Sequence, residues 1–356
     1  MKLLLAGGFL GSGKTTAIQQ ACSLLLKEDK KVAVITNDQG EELVDSKFIN
    51  SFSIPVKEVT NGCFCCNYND LLQNIYYFSK EINPDIIFGE TVGSCTDIVA
   101  TIAKPLAEMH PEFAVNISVF VDACLLHSII TGTSSFIDDP VRYIFKKQME
   151  EADLLILNKT DLVTDAELAT IQQVINKEYP SKKILLQNSL DKKDIQQWIN
   201  SFEEATTTPR ISLDIDYEIY GAGEAKLAWL DAVLSVQTEK LPSLKASALL
   251  AEIIYEKIKQ QELTIGHLKF LIDDGIDQFK ISYTTSGQHQ PSILNGTSSK
   301  AAVIVNARVQ TEPEILQHII FESIDETSLK ANCKIQVQSF SAFKPGFPKP
   351  THRIGN

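Results

Sequence analysis

The apolar run Met1-Lys2-Leu3-Leu4-Leu5-Ala6 leads into Gly8-Phe9-Leu10-Gly11-Ser12-Gly13-Lys14-Thr15, and a helical pattern follows. The octapeptide fits G-x-x-x-x-G-K-[ST] at every position, in the strand–loop–helix setting that motif requires. Glycines let the backbone curl until several N–H groups converge on one anion. The helix that begins near Lys14 adds its positive dipole end. Gly8, Gly11, Ser12, Gly13, Lys14, Thr15 and Thr16 are therefore the candidate triphosphate cradle. Lys14 supplies the point charge, and the Thr15 hydroxyl is placed to ligate Mg²⁺. Read alone, Met1–Ala6 also resembles the start of a secretory leader. The run breaks at Gly7-Gly8 and no small-residue cleavage pattern follows, so we expect a first strand and a cytoplasmic chain with reduced thiols.

Short apolar runs alternate with helical patterns over the next two hundred residues. Strands are expected at Lys2–Gly7, Lys31–Thr36, Ile54–Glu58, Asp85–Gly89, Ile117–Asp122, Asp153–Asn158 and Lys183–Gln187. Helices are expected at Lys14–Glu28, Cys65–Lys80, Thr96–Met109, Val141–Glu151, Asp165–Lys177 and Asp191–Phe202. Such alternation implies an α/β domain with a mostly parallel sheet covered on both faces, and ligands at the carboxyl ends of its strands. The pattern stops at the polar stretch 203–209, which sets expected domains of 1–205 and 206–356. The second half reads β-α-β-β-β-α-β, a smaller α+β domain of ferredoxin-like type, with an irregular Pro-containing segment from Phe343 to Asn356.

At 356 residues the chain has length for two cores. Lys and Arg number 33 against 45 Asp and Glu, a net charge of −12, which argues against a nucleic-acid surface. No run approaches the ~18–20 apolar residues of a membrane span.

The strand Asp153–Asn158 leads into Asn158-Lys159-Thr160-Asp161, an N-K-x-D at a strand end. A carboxylate there accepts both N–H bonds of guanine's N1/N2 edge, a donor pair adenine lacks, so GTP is expected over ATP. The structural alternative is a helix cap at Asp161 or Thr164. Asp38 and Glu90, each after a strand beside the phosphate loop, are the candidate Mg²⁺ and water-positioning carboxylates, with Lys14 the third candidate catalytic residue. Gly93, in Glu90-Thr91-Val92-Gly93, lets backbone approach the γ-phosphate.

Seven cysteines include Cys63, Cys65 and Cys66 within four positions, between a strand and a helix. Thiolates bind Zn²⁺ and other soft or borderline metals. Three ligands so close in sequence make an open site, better suited to handing a metal on than to a closed structural finger. A helix N-terminus near Cys65 is expected to lower the thiol pKa values. Small buried residues without metal are the alternative, and that reading is taken for Cys22, Cys124 and Cys333. Cys95 is either a fourth ligand or a packing residue. The six histidines (His110, His127, His267, His289, His318 and His352) show no ligand spacing; His267, on an expected strand, is the one singled out for testing.

The ordered set Gly8–Thr15, Asn37-Asp38-Gln39-Gly40, Gly62-Cys63-Phe64-Cys65-Cys66, Glu90-Thr91-Val92-Gly93 and Asn158–Asp161, with Gln148 and Ala152-Asp153, resembles the CobW-like GTPases, relatives of the hydrogenase and urease maturation GTPases. G-C-x-C-C is the specific element. The resemblance covers about the first two hundred residues. It implies a GTP-hydrolysing metallochaperone, slow without its client, that binds Zn²⁺ or Co²⁺ at Cys63, Cys65 and Cys66 and delivers it to a client metalloprotein. The alternative it leaves open is a GTP switch that docks on and assembles a client, with a structural metal, and a corrinoid-dependent enzyme is one client class. A homodimer is a further partner expectation. Two departures stand out. Asp38 occupies a position where the family usually has Glu, and Asp97 a position where it usually has Pro.

Overall fold

The structure is a computed structural model that describes residues 1–40, 44–134, 139–202, 210–239, 242–289 and 296–356. The expected boundary segment 203–209 lies outside the described residues. Internal contacts divide the chain into two units: Met1–Gln39, Phe52–Gly223 and Phe347–Asn356 form one, and Gly40–Ser51 with Glu224–Gly346 the other.

The first unit is built on seven parallel strands: β1 (Lys2–Gly8), β2 (Val32–Asn37), β3 (Val56–Val59), β4 (Ile86–Glu90), β5 (Ala114–Asp122), β6 (Leu154–Asn158) and β7 (Lys183–Gln187). Their order is β3-β2-β4-β1-β5-β6-β7. β2 and β4 are buried along their whole length, as strands covered on both faces must be. α1 (Lys14–Lys27) follows β1 directly. α2 (Val44–Asn50) belongs to the other unit. α3 (Tyr68–Glu81) starts three residues later than the sequence suggests. The expected helix Thr96–Met109 is a π-helical turn, Val99–Ala103, running into α4 (Lys104–Met109). Pro105 has no N–H for a regular i→i−4 bond, and a widened turn before it absorbs the break.

α5 (Ala123–Thr131) went unread, because its apolar sequence continues that of β5. Its start is set by Asp122, whose Oδ1 accepts from Leu125 N at 3.1 Å. α6 (Asp139–Glu151), α7 (Asp165–Glu178) and α8 (Lys192–Ser201) fall close to expectation. α9 (Tyr217–Glu224) was also unread. Arg210 fastens the chain ahead of it to the first sheet, with Nη2 2.7 Å from Asp153 Oδ2.

The second unit carries an antiparallel six-stranded sheet in the order β11-β10-β9-β12-β8-β13. Its strands are β8 (Ala228–Thr238), β9 (Thr264–Asp273), β10 (Gln278–Thr284), β11 (Gly287–His289), β12 (Lys300–Gln310) and β13 (Cys333–Phe343). α10 (Ser243–Gln260) and α11 (Pro313–Ala331) pack on one face, with Leu250, Ile254 and Ile320 joining Leu230, Leu234 and Phe270 of the sheet in one core. β9-β12-β8-β13 is the ferredoxin-like strand order, with β10 and β11 as an added hairpin. On Leu271 and Ile304 lies α2, through Val44 and Phe48. No helix among the described residues is long and apolar enough to cross a membrane.

Candidate nucleotide and metal site

Three glycines of the phosphate loop have positive φ: Gly8 (+123°), Gly11 (+75°) and Gly13 (+93°). A Cβ on Gly8 would lie 2.1 Å from Phe120 O, and one on Gly13 2.3 Å from Asn158 Nδ2, so the loop is pressed against the ends of β5 and β6. Lys14 Nζ donates to Gly8 O at 2.7 Å and Phe9 O at 3.2 Å, which holds the ammonium inside the loop. Ser12 Oγ is buried and has no hydrogen-bond partner among the described residues. A buried hydroxyl without a partner is costly, and here it sits in a cradle shaped for an anion.

Thr15 Oγ1 donates to Glu90 Oε1 at 2.7 Å. β4 pairs with β1 and places Glu90 beside Ala6, so the strand order delivers this carboxylate to the loop. Asp38 follows β2, one strand farther from β1, with β4 between. Gly93 has a different reason for being glycine than phosphate approach alone: its Cβ would meet Leu10 Cδ2 at 2.5 Å and Leu10 N at 3.0 Å. Gln148 Nε2, on α6, holds this loop by donating to Gly93 O at 3.1 Å and Cys95 O at 2.8 Å. Asp97 adopts φ +67°, which proline cannot reach.

Asn158 turns inward. Its Nδ2 donates to Ser12 O at 2.7 Å, and its Oδ1 accepts from Ser189 N at 3.1 Å and Ser189 Oγ at 2.8 Å. It thus ties the phosphate loop to the segment after β7. Ser189 was missed; the only signal was a small hydroxyl residue just past a strand end. Lys159, at φ +62°, pairs with the Asp122 carboxylate at 2.6 Å. Thr164 caps α7 in a reciprocal capping box with Glu167, so Asp161 is not needed as that cap. Asp161 itself is exposed on a short turn, Thr160–Leu162.

Cys63, Cys65 and Cys66 form a group whose sulfurs all lie within 4.8 Å of one another. Cys63 Sγ is 2.7 Å from Cys65 Sγ and 3.1 Å from Cys66 Sγ, with 3.9 Å between Cys65 and Cys66. A Zn–S distance of about 2.3 Å sets tetrahedral sulfurs about 3.8 Å apart, so the trio fits one ion once Cys63 shifts by about 1 Å. All three are free thiols; Cys63 and Cys65 are buried and Cys66 half-buried.

Two asparagines build this loop. Asn37, the last residue of β2, donates Nδ2 to Val59 O at 2.9 Å and Gly62 O at 2.7 Å, and its Oδ1 accepts from Phe64 N at 2.8 Å. Asn67 Nδ2 donates to Thr60 O at 2.9 Å. Cys66 N and Asn67 N both donate to Cys63 O, which makes Cys63–Asn67 a turn ahead of α3. The expectation that a helix end lowers the Cys65 pKa is therefore corrected. Hydrogen bonding with Cys63, Cys66 and Cys95, and then burial, push the Cys65 thiol well above its ordinary value. Cys66 is raised mainly by its bond with Cys63. Cys95 is buried against Cys65, yet it lies outside the three-sulfur group. His267 is buried on β9, opposite Thr284 and Arg308.

A model of the CobW/HypB/UreG nucleotide-binding domain matches residues 2–186. A zinc chaperone CobW from Sinorhizobium is 27% identical over 209 residues, covering 51% of this chain and 56% of that protein. The zinc chaperone YjiA of Escherichia coli is 31% identical over 167 residues, 45% of this chain and 49% of its own. The zinc-regulated GTPase metalloprotein activator 1 of Dictyostelium discoideum is 29% identical over 215 residues, 50% of this chain and 44% of its own. The chain thus spans about half the length of the curated relatives it matches. Among solved structures, nickel-bound HypB from Helicobacter pylori matches with a TM-score of 0.41 at 19% identity, over 58% of this chain and 90% of that one. Zinc-bound YjiA matches with a TM-score of 0.37 at 15% identity, over 90% of this chain and 98% of that one.

Proposed function

The chain belongs to the CobW/HypB/UreG family, and from that premise we propose that it is a GTP-hydrolysing metallochaperone that loads Zn²⁺ or Co²⁺ at Cys63, Cys65 and Cys66 and passes it to a client metalloprotein in the cytoplasm. One observation carries the coupling of the two activities. Asn37 holds the cysteine loop by three hydrogen bonds, and the next residue is Asp38, the carboxylate candidate of the nucleotide site.

In this reading the loop N–H groups, Ser12 and Lys14 bind the triphosphate. Mg²⁺, when bound, would supply positive charge against the triphosphate. Thr15 and Glu90 would hold it, with Asp38 completing the set; the existing bond supports this because it keeps the two oxygens 2.7 Å apart. Glu90 would also orient the attacking water. Asp161 would accept from guanine, and Asn158 and Lys159 would position that loop. Support comes from the exposed Asp161 and the fully engaged Asn158. The thiols would take up the metal as thiolates, releasing protons as they do so.

Metal titration with Zn²⁺ and Co²⁺, with and without a non-hydrolysable GTP analogue, tests the proposal. Unchanged affinity in the Cys63→Ala/Cys65→Ala/Cys66→Ala variant rejects the metal half. Equal hydrolysis of ATP and GTP rejects the base assignment. A second reading, an assembly switch with a permanent structural metal, is favoured by the burial of Cys63 and Cys65, each 3% exposed. Metal retained in every nucleotide state and against chelator would select it.

A further inference from the structure

We propose that the Asp97–Arg353 ion pair fastens the segment Phe347–Asn356 as a strap across the cysteine loop, positioning Cys66 and slowing release of a thiophilic metal ion. The inference rests on the reading of Cys63, Cys65 and Cys66 as metal ligands.

The strap reaches the loop at three points. Lys349 N donates to Cys66 Sγ at 3.3 Å, Thr351 N donates to Cys65 O at 2.8 Å, and Thr351 Oγ1 donates to Cys66 O at 2.8 Å. His352 packs edge-on against Tyr68, the first residue of α3, with ring centroids 4.8 Å apart. An N–H aimed at sulfur fixes the direction of the lone pairs left for a metal. The strap crosses at Cys66, the most exposed of the three thiols.

Both ends are held. Phe347 lies over Gly221, where a Cβ would come within 2.3 Å of the ring. At the other end Arg353 Nε donates to Asp97 Oδ2 at 2.8 Å and Nη2 to Leu213 O at 2.8 Å, while Ile354 N donates to Ala100 O at 2.8 Å. The Asp97 side chain is 1% exposed, so Arg353, its one charge partner among the described residues, counts for more than a surface pair would. Tyr217 donates to the same oxygen at 2.7 Å. Asp97 and Arg353 touch no sulfur; they act on the metal through the backbone of residues 349–351.

The test uses the full chain with Zn²⁺ and Co²⁺ as probes. Affinity is read by chelator competition, release by stopped-flow transfer to excess EDTA, and the site itself by the sulfur-to-Co²⁺ charge-transfer band. Arg353→Ala should weaken affinity and speed release, each by about tenfold, the range found for groups that orient metal ligands. It should also shift the charge-transfer band, and Arg353→Lys should restore all three readouts to within about twofold, because it keeps the charge on Asp97. Lys349→Pro removes the N–H that donates to Cys66 Sγ and should reproduce the effect without touching Asp97. Wild-type affinity, release and spectrum in both Arg353→Ala and Lys349→Pro overturn the strap. If the triple cysteine variant binds metal as well as wild type, the ligand reading falls and the strap with it. If that variant loses the metal while the two strap variants behave as wild type, the strap alone falls.

Discussion

Thr15 Oγ1 and Glu90 Oε1 are joined by a 2.7 Å hydrogen bond across 75 residues of sequence. Both side chains are buried, so the first turn of α1 and the end of β4 share a contact that water hardly reaches. A carboxylate there would stabilise a cation without solvent screening and orient a water against the triphosphate.

Glu90→Gln keeps the shape and removes the charge. It should lower kcat for GTP hydrolysis by about 100-fold or more, the scale of a positioned proton acceptor, with nucleotide affinity within about fivefold. Single-turnover hydrolysis and nucleotide titration measure the two separately. An unaltered kcat would take Glu90 out of the reaction.

Asn37→Ala leaves the N–H of Phe64 and the carbonyls of Val59 and Gly62 without their side-chain partner. It should cost about 1–3 kcal/mol of stability and weaken metal binding at Cys63, Cys65 and Cys66. Denaturant melts and Co²⁺ titration read these out. Wild-type metal affinity in a destabilised variant would show that the loop keeps its shape without Asn37.

Burial, the nearby Asp97 carboxylate and only partial compensation from Val99 N–H and Thr96 Oγ1 push Glu151 up from 4.5 to about 8. Lys182 is itself held below its ordinary value, first by burial, with Asp153, Glu151 and Glu150 opposing. The folded state therefore holds a proton that the unfolded chain gives up above its ordinary value. Stability should fall as pH rises from about 4.5 to 8 and flatten above, the sign set by more protons bound in the native state. Glu151→Gln should flatten that slope in thermal melts from pH 5 to 9; an unchanged slope would place the dependence elsewhere.

In the second unit Asp45 pairs with Lys269 and, at 2.8 Å, Lys280. Burial works against its charge, but the two ammonium groups hold its carboxyl well below the usual range. Asp45→Ala removes the buried carboxylate that both lysines pair with and should destabilise the unit by on the order of 3 kcal/mol. The loss should be full at neutral pH and shrink as acid protonates Asp45 in the wild type, since a lowered native pKa stabilises only above the unfolded value. Urea melts at pH 7 and pH 3 compare the two conditions.

The strands of the first unit were legible because a parallel strand buried on both faces is written as a short apolar run, and the motifs sit at the ends of those runs. α2 and α5 were not. Val44–Asn50 is short, and its apolar side chains pack on Leu271 and Ile304, which lie far along the chain. Ala123–Thr131 carries no polar face to separate it from β5. The start of α3 was misplaced because Cys63 O accepts from both Cys66 N and Asn67 N, closing a turn where the residue pattern continues a helix. The segment Phe347–Asn356 reads as irregular, and its order comes from partners far away in the chain, from Arg353–Leu213 with a separation of 140 to Thr351–Cys66 with 285.

The sequence by itself determined what is local: an anion cradle between a strand and a helix, a parallel sheet, an N-K-x-D turn, and three thiols in four positions. These follow from φ freedom, burial periodicity and covalent neighbourhood, which a few consecutive residues specify. Only the tertiary structure decided which side chains meet. Glu90 reaches Thr15 because β4 lies beside β1, Asn37 carries the cysteine loop because β2 ends next to β3, and Arg353 closes on Asp97 across 256 residues. Those pairings depend on strand order and on which buried polar groups still need a partner, and both are settled only when the whole chain packs.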